Sequence, residues 1–165
     1  MVDSQPGWTE QSVDRPMATP KYYMTDSGLA AYLQGLDREE DLSRNTECVK
    51  NGVGSLTATW VYNQLRSEIN RHAGWEFSYL RTRKHDINFI VANEVGRLLA
   101  VKVKATESVM PNDYKDLHWF ARLVGEDNCR GVVLYAGHRV RSGGQGCYAL
   151  PMSALWSDFS TWEKW

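Results

Sequence analysis

The chain lacks any apolar run near the roughly 20 residues that a bilayer span requires, and its first twenty residues, Met1 to Pro20, hold no hydrophobic segment of signal-peptide type. Cysteine is scarce. Cys48, Cys129 and Cys147 are odd in number and widely spaced, which argues against a disulfide framework and for a reduced, cytoplasmic setting. The four histidines, His72, His85, His118 and His138, show no ligand spacing with one another or with the cysteines, so no zinc site is expected. No G-x-x-x-x-G-K-[ST] phosphate loop is present, no Ser-His-Asp arrangement is legible, and there are no repeats or low-complexity stretches. Charge excess is missing as well, since the net charge is −1.

What is present describes a folded globule. At 165 residues, 42% apolar, with seven Trp and eight Tyr, the chain is long and aromatic enough for one domain with a real core. The near-zero net charge conceals a gradient. Residues 1–50 carry five Lys/Arg against nine Asp/Glu, residues 51–104 eight against four, and residues 105–165 six against seven. The basic middle points toward a polyanion partner, although a sequence pI near 6.4 is well short of a dedicated DNA-binding domain.

Residues 1–19 read as a polar, mobile leader. Asp26 and Ser27 stand at a helix start before Leu29-Ala30-Ala31-Tyr32-Leu33, and Gly35 ends that helix. Residues 37–52 are charged and patternless, a connecting loop. Leu56, Trp60, Val61, Leu65 and Ile69 predict a longer helix over about 54–72. Strands follow at about 75–81, 86–92 and 97–104, the last two joined through Asn93-Glu94-Val95-Gly96. Asn112 is a candidate cap for a helix carrying Leu117, Phe120, Ala121 and Val124. Arg130 to Ala136 is a buried strand, Ser142 to Gly146 a flexible loop, and Cys147 to Leu150 a last short strand. Helix, three strands, helix, strand makes a mixed-sheet α/β fold.

Strand alternation puts Asp86, Asn88 and Ile90 on one face and Ile87, Phe89 and Val91 on the other, while Lys102 and Lys104 share a face opposite Leu99, Val101 and Val103. Two readings of the lysines stand side by side: they bind a phosphate group, or their face is solvated and Lys102 pairs with Asp86. Arg81, Arg83 and Lys84, beside His85, form either an ordinary surface turn or a clamp on a nucleic-acid backbone. Trp156, Phe159 and Trp162 recur every three residues, as one stripe of a helix packed on the body or as an interface patch.

Several blocks carry a family resemblance. Pro20-Lys21-Tyr22-Tyr23-Met24-Thr25-Asp26-Ser27-Gly28-Leu29, then Tyr79-Leu80-Arg81-Thr82, Asp86-Ile87-Asn88-Phe89, Leu98 to Ala105, Gly131 to Gly137 and Tyr148-Ala149-Leu150-Pro151 fall in order. Together they resemble a domain of unknown function found at the C-terminus of many prokaryotic AAA-type ATPases. That family is similar in fold to the PD-(D/E)XK nucleases, and the resemblance implies a restriction-endonuclease-like αβββαβ core with a mixed sheet flanked by helices, spanning residues 20–156 and followed by an aromatic tail over 157–165. It also implies an acid at 88, an acid at 102 and a lysine at 104, with glutamates on the first core helix. Here those positions hold Asn88, Lys102 and Lys104, and the helix offers Ala58 and Gln64.

The chemistry of that set argues against catalysis. Mg²⁺ needs hard oxygen ligands, whereas Asn88 offers one neutral carbonyl and Lys102 a repelling ammonium. Asp86 is the one substitute ligand in reach, about 6.6 Å along the strand from Asn88. The expectation is a degenerate, non-catalytic module without metal or cofactor, binding a DNA backbone through Arg81, Arg83, Lys84, Lys102 and Lys104, or a protein such as a separate ATPase chain. The alternatives are a Mg²⁺-dependent DNA endonuclease using Asp86, and a homodimer built on the tail aromatics. No membrane partner is expected.

Overall fold

Two apolar layers sandwich one sheet, and the computed structural model describes residues 1–9, 19–43 and 46–156. Six strands form the sheet: β3 (Glu76–Arg81), β4 (Asp86–Ala92), β5 (Leu98–Lys104), β6 (Cys129–Tyr135), β7 (Arg141–Gly144) and β8 (Cys147–Pro151), in the spatial order β3-β4-β5-β6-β8-β7. The first three are antiparallel neighbours, β5, β6 and β8 run parallel, and β7 returns antiparallel to β8. A parallel β5–β6 pair needs a crossover, supplied by α4 (Lys115–Val124). The fold is therefore α/β with a mixed sheet flanked by helices.

Each helix covers one face. Helix α3 (Glu47–Ile69) buries Val61, Tyr62, Leu65 and Ile69 against Phe77, Phe89, Val101 and Leu134. Helix α4 buries Leu117, Phe120 and Ala121 against Leu80, Ile87, Ile90, Ala100 and Val133. Cys129 and Cys147 sit in this second layer, both 1% exposed, and burial pushes their thiols up to about 12 and about 11. No helix of the described residues is long and apolar enough to cross a membrane.

Four sequence expectations need correction. The loop over 37–52 instead holds α2 (Glu39–Leu42) and the first turns of α3, which Thr46 caps by accepting from the Val49 N–H at 3.3 Å. Gly52, at the end of that expected loop, is instead a packing position within α3: a Cβ there would meet Leu36 Cδ1 at 2.5 Å. Within the polar leader, β1 (Val2–Gln5) pairs antiparallel with β2 (Lys21–Met24), and Pro6 to Trp8 lie along the outer edge of β3. Gln5 donates to the Ser78 carbonyl at 2.7 Å, and Trp8 packs edge-on to Phe120, so the sheet edge is covered. The glycine-rich loop at 142–146 includes strand β7, where Gly143 leaves room for the Tyr114 ring, which an added Cβ would meet at 2.4 Å.

Strand β4 also departs from the strict alternation expected of it. Ser78 opposes Ile90 but Leu80 opposes Ile87, so three residues of β4 span two of β3. This bulge breaks the alternation: Ile87 and Ile90 both face α4, while Phe89 and Val91 face α3. Asn88 falls at the bulge. Short helix α1 (Ser27–Leu33), capped by Asp26 as expected, leans on α3 with Ala30 buried.

Candidate functional site

The bulge ends the β4–β5 ladder at Phe89 and Val101, leaving the Val103 N–H without a backbone partner on β4. The Asn88 side chain fills that role, its Oδ1 accepting from Val103 N at 2.9 Å. Its amide oxygen is thereby committed to the backbone. Beyond it, Lys102 and Lys104 project to the α4 side, where a 3-10 turn (Pro111–Tyr114) and the first turn of α4 present two carboxylates.

Those carboxylates neutralise the lysines. Lys102 Nζ donates to Asp116 Oδ2 at 2.6 Å and Lys104 Nζ to Asp113 Oδ2 at 2.5 Å. Asp113 Oδ2 also accepts from the Met110 N–H at 2.6 Å, closing the turn. On its other oxygen Asp116 meets His85 Nδ1 at 2.9 Å, and the imidazole stacks flat on Trp119 at 3.9 Å. Burial alone would raise both aspartates. Hydrogen bonds from Lys102 and His85 to Asp116, and from Lys104 and Met110 to Asp113, hold each below its ordinary value.

The Asp86 backbone N–H donates to Asp116 Oδ2 at 3.5 Å, but its side chain has a different partner. Its carboxylate, half exposed, pairs with Lys21 at 3.5 Å, and Lys21 sits 4.5 Å over the Tyr79 ring. The Lys102–Asp86 pairing considered from sequence is therefore replaced by Lys102–Asp116. Asp113 and Asp116 were missed as site residues. Their signal was legible, because Asp113, Asp116 and Phe120 are spaced i, i+3, i+7, placing two acids on the stripe that faces the sheet. Among the described residues, no group of three or more His, Cys, Asp or Glu is placed to hold a metal ion.

Arg81, Arg83 and Lys84 are exposed at and beside the β3–β4 turn. Thr82 builds that turn, its Oγ1 accepting from the N–H groups of Lys84 and His85 at 3.2 and 3.0 Å. Strands β5, β6 and β8 finish at the same end of the sheet, so Arg139 and Arg141 join this rim, also exposed. The Tyr135 hydroxyl donates to the Arg139 carbonyl at 2.5 Å and anchors their loop. Among the described residues none of these five cations enters a salt bridge. With strand spacings of about 4.8 Å, the two groups lie roughly 14–24 Å apart.

Trp156 ends a 3-10 turn (Met152–Trp156), 68% exposed, with its ring 5.1 Å from that of Trp60. Phe159 and Trp162 lie outside the described residues. The family model of a domain of unknown function, DUF4143, matches residues 53–155. No curated protein matches the chain.

Proposed function

The chain belongs to the DUF4143 family, and from that premise we propose that it is a non-catalytic, nuclease-like module that binds a nucleic-acid backbone along the carboxyl rim of its sheet. The carrying observation is a division of its cations. Lys102 and Lys104 are spent on Asp116 and Asp113, whereas Arg81, Arg83, Lys84, Arg139 and Arg141 remain exposed and unpaired among the described residues. The order α3, β3, β4, β5, α4, β6 supports a PD-(D/E)XK-like core, and the ligands at 102 and 88 are an ammonium and a committed amide.

An endonuclease using Asp86 fits less well. That carboxylate is held by Lys21, and the Lys102 ammonium repels a divalent ion from the neighbouring position. In this reading the ion pairs hold the sheet end in shape, and the exposed rim makes the phosphate contacts.

Salt dependence tests it. Each phosphate contact on duplex DNA steepens the fall of log K with log salt by about 0.9. The double variant Arg83→Ala/Lys84→Ala is expected to lower affinity for a fluorescent duplex about tenfold and to flatten the slope by about 1.8. Lys104→Met, which removes a paired lysine, is expected to leave the slope unchanged. Anisotropy titrations across several salt concentrations measure both. An unchanged slope in the rim variant, or no binding at low salt, would refute the proposal.

A further inference from the structure

Helix α1 is apolar on the side that the fold leaves open. Leu29, Tyr32 and Leu33, spaced i, i+3, i+4, are 44%, 67% and 66% exposed, while Ala30 faces the body. Leu42 of α2 is also exposed, at 48%. Contiguous outward apolar side chains on one helix face are unusual in a monomer surface and mark interaction sites.

The surroundings specify what fits there. Residues 26–43 hold five acids (Asp26, Asp37, Glu39, Glu40, Asp41) against one base, Arg38. Asp37, Glu39 and Glu40 are exposed. Asp37 follows Leu33 by four residues, so it lies within about 14 Å of the apolar stripe even at full extension. An apolar stripe within about 14 Å of exposed carboxylates disfavours nucleic acid and acidic proteins, and it suits a helix with apolar residues on one face and lysines or arginines flanking them.

We propose that the α1–α2 surface docks a basic amphipathic helix of a partner protein. The surface lies N-terminal to residues 53–155 and is built from different residues than the cationic rim. The chain would then join a polyanion and a basic protein through two different sets of residues.

A synthetic amphipathic helix of leucine and lysine, with a leucine–glutamate counterpart of identical apolar face, tests this against the full chain. The lysine peptide is expected to bind at least tenfold more tightly. Tyr32→Ser/Leu33→Ser, which keeps every charge, should weaken it about tenfold, and so should Asp37→Lys/Glu40→Lys, which keeps the apolar stripe. Circular dichroism melting of both variants should match the wild type, because all four side chains are exposed. Loss in the charge variant alone would mean unspecific attraction and refute docking. Equal binding of the two peptides would refute it too. A wild-type dimer on sizing chromatography that Leu33→Asp makes monomeric would assign the surface to a second copy instead.

Discussion

Replacing Asp116 with alanine is expected to destabilise the fold by about 2–3 kcal/mol while strengthening nucleic-acid binding. Breaking a buried ion pair by removing one partner costs about 3–5 kcal/mol, because a charge is left stranded. The Lys102 and His85 side chains keep 25% and 15% of their surface, so water recovers part of that cost. The variant also frees Lys102 as a cation, and the salt slope should steepen by up to about 0.9. Urea denaturation and anisotropy measure the two effects separately. Asp113→Ala should cost less, about 1 kcal/mol, since both partners are 25% exposed. A variant that is both fully stable and unchanged in binding would mean that Asp116 neither braces the sheet end nor masks Lys102.

The same carboxylates, together with Asp3, which the Tyr62 hydroxyl also holds low, contribute to the acid sensitivity of the fold. All three are held below the ordinary aspartate value, so the unfolded chain binds their protons more readily. Their contribution is complete above the unfolded value near 3.9, and it is lost as pH falls through the lower folded values. Wild-type melting temperature should therefore drop on acidification below about pH 4 more steeply than that of Asp116→Ala, whose profile lacks one of these groups.

The parts of this fold that bury an apolar pattern could be read in advance. Strand β4 was legible to the residue, from Asp86 to Ala92, because Phe89-Ile90-Val91-Ala92 is a continuous apolar run, and α4 was legible from Leu117, Phe120 and Ala121. The first turns of α3 were not, because they are largely exposed and Gly52 serves Leu36 packing rather than a turn. Nor was β1, whose Val2-Asp3-Ser4-Gln5 has no apolar alternation; it is held by pairing to β2 and by the Gln5 side chain. For the site, sequence supplied the lysines and the turn but not their partners. Asp116 lies fourteen residues from Lys102 and on another element, so the pairing depends on how α4 crosses the sheet. The bulge at Asn88 is likewise a product of register between strands, which no local pattern in β4 announces.

Under the proposed nuclease-like reading, the Lys102 ammonium held by Asp116 would occupy the place of a bound cation, and reversing its charge should expose that substitution. In Asn88→Asp/Lys102→Glu, the acid at 88 can still accept from the Val103 N–H, but the acid at 102 faces Asp116 with no positive charge between them. Two like charges about 4 Å apart cost about 4 kcal/mol at an effective dielectric near 20, a melting shift on the order of 10 °C for a domain of this size. In chelator the double variant is expected to melt lower by that order. Adding Mn²⁺ should return much of the loss, since the clustered carboxylates then supply the hard oxygen set that such an ion takes. Wild type should be indifferent to the ion, its own cation being covalently attached. Recovery by Mn²⁺ in the variant alone would identify the lysine as the stand-in that keeps these carboxylates together. A wild-type chain that itself gains stability from Mn²⁺ would instead show that the ammonium does not fill the position, and the endonuclease reading through Asp86 would return.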